Sequence, residues 1–521
     1  MVDYSLYLVT DNTPAILKGR DLVSVVKDAV EGGVTIVQLR DKTSDTGDMI
    51  KIAKQLHEVT KPHNVPLLIN DRVDVALVAG VEGVHIGQDD IDLASARRIL
   101  GKDAIIGVTA SSVEEALRAT EGGADYLGIG TVFATPTKEN TKSIIGTSGL
   151  RDILTALTSS SNPSIPTVCI GGINASNTQR VLYQSATPSK QIDGIAIVSA
   201  IIAAASPKQV SASLATLIKT PPAFAAAQTA FPPLSPTSIR THASAILQAL
   251  ASTTPLSHNM TNQVVQNFAA NVALCIGASP IMSSNGAEAA DLAQLGGGLV
   301  INMGTSTPDS LCAFAQAQRA YNAAGGPVVF DPVGAGATAL RRSAVKELLA
   351  AGYCDLIKGN ENEIGTVAGT GAALQQRGVD SGTSHLSLRE KAALVQRVAA
   401  RERCIVLMTG AVDVLSDGAR TLAVRNGHAL LGAITGSGCA LGTTLAAYLA
   451  AGRECKLLAA LAGVLHYEIA AERAARRDDV RGPGTFVPAF LDELYRVRGE
   501  TVEGRSEWLD GARVEDVTVG V

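Results

Sequence analysis

TPPAFAAAQTAFPPLSPT, residues 220–237, holds five prolines and no charged side chain. Proline fixes φ and removes a backbone donor, so the segment predicts neither a helix interior nor a central strand. Such composition reads as an extended, semi-rigid spacer, reaching roughly 50 Å at about 3 Å per residue. The other reading is a surface loop within one large domain, and the choice rests on whether each flank is complete by itself. At 521 residues the chain exceeds one ordinary core. Its 46% hydrophobic and 18% charged residues are those of a globular protein. The spacer therefore turns one fold question into two.

Before it, over residues 5–205, β-branched runs alternate with amphipathic stretches. Strands are predicted at 5–10, 35–41, 66–70, 83–87, 105–110, 126–130, 166–172 and 194–200. Eight β-then-α units predict an α/β fold of the (β/α)8 (TIM) barrel kind, with an open doubly wound sheet as the alternative. In a barrel the polar residues at the strand ends converge on one face. Gln38, Arg40 and Lys42 close the second strand, Asn70 and Asp71 the third, and Asp90 follows the fourth. Thr109 ends the fifth, Lys138 follows the sixth, and Gly172 and Ser199 close the last two. Cations, two carboxylates and Gly-rich turns on one rim suit a Mg²⁺-bridged polyphosphate. Asp71 and Asp90 would hold the metal, and Arg40, Lys42 and Lys138 the phosphate oxygens. Singly, Asp90 reads as a helix cap and a lone Lys as a solvated charge; the joint placement favours a site.

Beyond the spacer, a helical pattern leads to strands predicted at 299–304, 327–334, 355–360 and 405–410. This is α/β with a largely parallel sheet, so ligands are expected beyond the strands' carboxyl ends. There is no GxxxxGK[ST] and no GxGxxG. TGSG at 435–438 runs into an apolar helix with Cys439 in its first turn. Backbone N–H groups there form an anion hole, and a thiol so placed is expected to have a lowered pKa that suits activation of a hydroxyl. A buried structural cysteine is the alternative. Asn360 and Glu363, three apart in KGNENE (358–363), are expected on one helix face, orienting a hydrated Mg²⁺ near nucleotide phosphates. Past residue 499 the polar, acidic sequence predicts a flexible or partly ordered tail.

A net charge of -5 with 3% aromatics gives no footprint for nucleic acid. The seven cysteines are scattered singly, with no metal-binding spacing, and fit a reducing compartment. No signal peptide and no membrane-length apolar run are present, so a soluble, cytoplasmic protein is expected. The expected organisation is a barrel over 1–219, a linker over 220–237, a second domain over 238–498 and a tail over 499–521.

QLRDK (38–42), NDR (70–72), GVHIGQDD (83–90), GVTA (107–110), ATPTK (134–138) and IGGI (170–173) together resemble the thiamine-phosphate synthase family. The resemblance implies that 4-amino-2-methyl-5-pyrimidinylmethyl diphosphate loses pyrophosphate and that the nitrogen of thiazole phosphate captures the resulting cation. It implies that Gln38, Arg40, Lys42, Asn70, Thr109 and Lys138 contact the pyrimidine diphosphate and that Asp71 and Asp90 bind Mg²⁺. Thr135, Thr137, Gly172, Val198 and Ser199 would take the thiazole phosphate. Thr109 stands where serine is usual and keeps the hydroxyl.

HNMTN (258–262), GASPIM (277–282), NMGT (302–305), DPVGAGAT (331–338), KGNENE, MTGAVD (408–413) and TGSGC (435–439) resemble hydroxyethylthiazole kinase, in the ribokinase-like group. This implies ATP- and Mg²⁺-dependent phosphorylation of hydroxyethylthiazole. Cys439 would activate the hydroxyl, and the Gly436 to Gly438 amides would hold the phosphoryl group. Met282 and Gly436 would line the thiazole pocket, and Lys358, Thr409, Asn360 and Glu363 would serve ATP. Lys358 stands where the bacterial family commonly has Arg, which loses the bidentate fork. The resemblance also implies a homo-oligomer, a trimer or higher. Two rivals stay open: a metabolite-binding scaffold, and a kinase half acting on another alcohol.

Overall fold

The computed structural model of the protein describes residues 2–135, 144–369 and 386–520. It divides into two compact units, Met1–Pro221 and Pro222–Val521.

In the first unit β1 (Leu6–Val9), β2 (Ile36–Leu39), β3 (Leu67–Asn70), β4 (Gly83–Ile86), β5 (Ile105–Ala110), β6 (Tyr126–Ile129), β7 (Thr167–Ile170) and β8 (Gly194–Ile197) are parallel and follow one another in order. Pairing of β1 with β8 closes the barrel and removes the open-sheet alternative. Strands buried on both faces have no polar side, which is why they read as apolar runs. Leu6 and Leu8 point to the helix layer, whereas Tyr7 and Val9 point into the barrel with Ile36, Leu68, Tyr126 and Val168. The helix after β4 (Leu93–Leu100) is capped by Asp92, whose carboxylate accepts from Ser95 N–H. Asp90 is not that cap. Its Oδ2 accepts from Gly87 N–H at 2.7 Å and closes the turn at the rim.

The second unit is built on a nine-stranded sheet. Its strands are β9 (Leu256–Met260), β10 (Ser279–Ile281), β11 (Gly298–Asn302), β12 (Val328–Asp331), β13 (Leu356–Asn360), β14 (Ile405–Thr409), β15 (Asp413–Ser416), β16 (Thr421–Val424) and β17 (Val514–Asp516). The order is β10-β9-β11-β12-β13-β14-β15-β16-β17. Neighbours from β10 to β14 are parallel, and those from β14 to β17 antiparallel. Helices Ser437–Ala451 and Lys456–Ala475 are buried almost all round, which their alanine-rich sequences permit by letting neighbours approach closely.

Two expectations need correction. The polar stretch past residue 499 is not a tail: the helix Pro483–Val502 runs into it, Trp508 is 3% exposed, and β17 completes the sheet against β16. Its charges misled because an edge strand keeps them in solvent, where Glu515 pairs with Arg425 and Asp516 with Arg420. The 220–237 segment has no regular structure before Pro236, which opens the helix Pro236–Thr253 behind the Ser235 cap. Yet it is not a free spacer. Phe224 is buried and stacks on Tyr353 with centroids 4.7 Å apart, and Thr229 N–H donates to Glu454 O at 2.7 Å. Arg420 lies over the Phe231 ring and donates to Pro232 O. Apolar and carbonyl groups spaced among the prolines fasten the strap to the second unit.

All seven cysteines are free. No helix among the described residues is long and apolar enough to cross a membrane.

Candidate active sites

The carboxyl ends of the barrel strands surround a cavity of about 930 Å³. Its wall contains Gln38, Arg40, Lys42, Asn70, Asp71, Asp90 and Thr109, together with Thr135, Gly172, Val198 and Ser199. Thr137 and Lys138 lie outside the described residues. Asp71 adopts a left-handed backbone at φ 63, with its N–H donating to His85 O at 2.9 Å. That turn aims its carboxylate along the rim, where Lys42 pairs with it. The Asp90 carboxyl is held above the usual range, first by lost hydration and then by Asp71 beside it. Two neighbouring carboxylates with one lysine between them fit a hard divalent cation that keeps its waters and shares a diphosphate. Among the described residues no group of three or more His, Cys, Asp or Glu gathers as a protein-only metal cage.

The sequence reading missed the cavity floor. Tyr7, His85 and Tyr126 lie there beneath the rim, hydrogen-bonded to Gln38 and Thr109. In sequence they pass for ordinary strand residues. The one available signal is small: Gly107 and Gly128 stand where a Cβ would overlap the Tyr126 and His85 rings.

In the second unit the carboxyl ends of β9, β11, β12 and β13 meet the start of helix Ser437–Ala451. Gly436, in the left-handed region at φ 84, turns the chain into that helix, and a Cβ there would strike Val265. Cys439 Sγ accepts from Asn262 Nδ2 at 3.4 Å, and the same amide reaches Asn302 Oδ1 at 3.0 Å. Asn302 Nδ2 donates to Asp331 Oδ2 at 2.8 Å, and Lys358 Nζ lies 3.2 Å from Asp331 Oδ1. The cluster thus joins Cys439 to Lys358 through Asn262, Asn302 and Asp331. Lys358 is buried, which works against its charge, but Asp331, Glu363 and Cys439 around it outweigh that and hold its pKa up.

The thiol does not behave as its position suggests. Burial, reinforced by Asp331, pushes Cys439 up to about 11, against the opposing pull of Lys358. The lowered pKa expected from a helix N-terminus is therefore a correction: desolvation wins. Asn360 and Glu363 form a capping box, with Asn360 Oδ1 accepting from Glu363 N–H and Glu363 Oε2 from Asn360 N–H. Glu363 Oε1 accepts from Gly334 N–H at 2.8 Å. Both its oxygens are thus on backbone amides, pinning the 331–338 turn to the end of β13. Thr409 is the cross-strand partner of Asn360. Met282 follows β10, the strand at one edge of the sheet. Asn262 and Asn302 were legible only as motif letters, since each gains meaning from the other across β9 and β11.

Each α/β unit thus carries its own polar cluster at the carboxyl ends of its strands, the arrangement of an enzyme with two sites. The thiamine monophosphate synthase family model matches residues 6–201, and the hydroxyethylthiazole kinase family model matches residues 247–500. A probable thiamine biosynthetic bifunctional enzyme of Schizosaccharomyces pombe is 44% identical over 520 residues, 99% of either chain. The thiamine biosynthetic bifunctional enzyme of Saccharomyces cerevisiae is 35% identical over 95% of this chain and 96% of its own. The thiamine-phosphate synthase of Clostridium novyi is 46% identical over 201 residues, which cover 39% of this chain and 92% of that protein. The chain belongs to the bifunctional thiamine biosynthetic enzymes, which join thiamine-phosphate synthase to hydroxyethylthiazole kinase.

Proposed function

We propose that the second unit phosphorylates 5-(2-hydroxyethyl)-4-methylthiazole at the Cys439 cluster and that the barrel cavity joins the product to the pyrimidine diphosphate. The observation that carries the barrel assignment is the convergence of the described rim residues on one cavity. Departure of pyrophosphate leaves a resonance-stabilised pyrimidinylmethyl cation, so no side-chain nucleophile is needed. The residues' work is to bind charge where it accumulates. Arg40 and Lys42 neutralise diphosphate oxygens, Gln38 and Asn70 hold the pyrimidine diphosphate, and Thr135, Gly172, Val198 and Ser199 seat the thiazole phosphate. Asp71 and Asp90 would hold Mg²⁺, which would supply further positive charge to the leaving group. Thr137 and Lys138 belong to the same reading.

In the kinase unit, the amides around Gly436 and Gly438 receive the transferring phosphoryl group, and Lys358 lies beside them, 3.7 Å from a Cβ placed on Gly438. Cys439 takes the hydroxyl proton. Lys358 and Thr409 serve ATP, Asn360 and Glu363 do so by fixing the turns around it, and Met282 faces the thiazole. Self-association of the second unit into a trimer or higher is part of this reading, and a monomer mass in sedimentation equilibrium would remove it.

The test uses the full chain with hydroxyethylthiazole, the pyrimidine diphosphate, ATP and Mg²⁺. Thiamine phosphate is expected only when all four are present. Asp71→Asn is expected to abolish coupling and leave thiazole phosphorylation intact. Loss of both activities together would sink the assignment of separate sites.

A further inference from the structure

Five side chains from five strands form one hydrogen-bonded chain across the barrel cavity floor. Gln38 Nε2 donates to Tyr7 Oη at 2.7 Å, and the Tyr7 and Tyr126 hydroxyls are 2.8 Å apart. Tyr126 Oη is 2.8 Å from His85 Nδ1, and His85 Nε2 is 2.8 Å from Thr109 Oγ1. Gln38, Tyr7 and Tyr126 are all buried, which limits competition from water for the hydrogen bonds among them. Room for the two rings comes from Gly107 and Gly128, where any side chain would collide with Tyr126 or His85.

The chain has a direction. An amide NH₂ only donates, so Tyr7 oxygen accepts from Gln38 and its single hydrogen passes to Tyr126. With the imidazole neutral, the Tyr126 hydrogen then goes to a bare His85 Nδ1. The imidazole carries its hydrogen on Nε2 and donates it to Thr109 Oγ1. Burial pushes the pKa values of both phenols up, so both keep their hydrogens. Thr109 has no other partner among the described residues for its own hydrogen, which is left to the cavity.

We propose that His85 is a positioning residue for the coupling reaction: ordered from Gln38 through Tyr7 and Tyr126, it fixes the Thr109 hydroxyl as a donor to an acceptor atom of the bound pyrimidine diphosphate. The inference rests on the assignment of the cavity to that substrate. Reversal of the chain would make Thr109 donate to His85 and present only an oxygen to the ligand. The direction therefore decides whether the site selects an acceptor, such as a bare ring nitrogen or a phosphate oxygen, or a donor such as an amino group.

Long-range ¹H–¹⁵N spectra of the full chain without ligand test the direction, the His85 signal being assigned by its loss in His85→Ala. The expected spectrum has hydrogen on Nε2 and a bare Nδ1. In Gln38→Glu, whose carboxylate can only accept, the hydrogen should move to Nδ1. Hydrogen on Nδ1 in the unsubstituted protein would overturn the proposal. In coupling assays His85→Ala and Thr109→Val should each lower kcat roughly 10- to 100-fold, as for one hydrogen bond left unmade, with Thr109→Ser, which keeps the hydroxyl, restoring most of the loss. Thiazole phosphorylation by the same samples should be unchanged, reporting a folded chain. Weaker binding of inorganic pyrophosphate to Thr109→Val places the acceptor on phosphate, and weaker binding of the pyrimidine alcohol places it on the ring. Coupling unaffected by these variants, with the Nε2–H spectrum intact, would overturn the cavity assignment and the proposal with it.

Discussion

Cys439 carries the sharpest conflict between position and environment. It opens a helix, yet its thiol is pushed up to about 11 because burial, with Asp331 beside it, outweighs the pull of Lys358, Asn302 and Asn262. At pH 7 only about one molecule in 10⁴ would hold the thiolate. If that thiolate is the base, kinase turnover should climb about tenfold per pH unit between pH 7 and 9. Cys439→Ala should flatten the profile and lower turnover roughly 10²-fold at pH 9. A flat profile in the parent would leave phosphoryl transfer to positioning alone. Glu468 offers a second test. Burial first, and Asp413 beside it second, hold its carboxyl well above the usual range. The folded chain keeps a proton that the unfolded chain releases, so this group's contribution to stability is full at low pH. It is lost as the pH rises from the unfolded pKa through the folded one. Glu468→Gln should therefore raise the second unit's Tm more at pH 8 than at pH 5, by calorimetry. Rim residues such as Asp71 and Lys42 were legible in the sequence because each closes a strand and needs no partner to be noticed. His85, Tyr126, Asn262 and Asn302 were not, because their roles exist only across strands.

At the scale of elements, the strands that the sequence revealed are those buried on both faces. β9 carries buried His258 and Asn259, and β17 is an exposed polar edge, so neither shows an apolar run. The hairpin of β15 and β16 does carry a local signal, Asp417-Gly418 with Gly418 at φ 93, although its strands are only four residues long. The strap of 222–235 was legible as proline-rich and irregular, but composition could not reveal that Phe224 docks on Tyr353, with Lys456 over the other ring's π-system at 5.3 Å. Phe224→Ala should cost the second unit about 3 kcal/mol, as for a buried aromatic. Denaturant unfolding of the full chain, followed at the second unit's transition, checks this, and a shift under about 0.5 kcal/mol would return the strap to a passive spacer. Trp508→Ala should destabilise the same unit comparably, since Trp508 is buried and donates to Thr501 Oγ1 at 2.8 Å.

For the molecule as a whole, the decisive fact is that each unit has its own core. One cluster surrounds the barrel, another fills its interior, and a third lies around helices Ser437–Ala451 and Lys456–Ala475. Proteolytic cleavage engineered at the junction of 220–222 should leave both activities intact when assayed separately. A tether acts by raising local concentration, so the coupled rate should fall on cleavage only at low enzyme and low thiazole. A rate unchanged at every concentration would confine the fusion's role to expression or assembly. Separate cores also have a genetic consequence. A cell carrying two damaged copies of the gene, one with Asp71 replaced and one with Cys439 replaced, would retain one working half from each. Thiazole phosphate released by the first product can be used by the second. Two recessive alleles in a single gene should then complement one another, as though they were mutations in two.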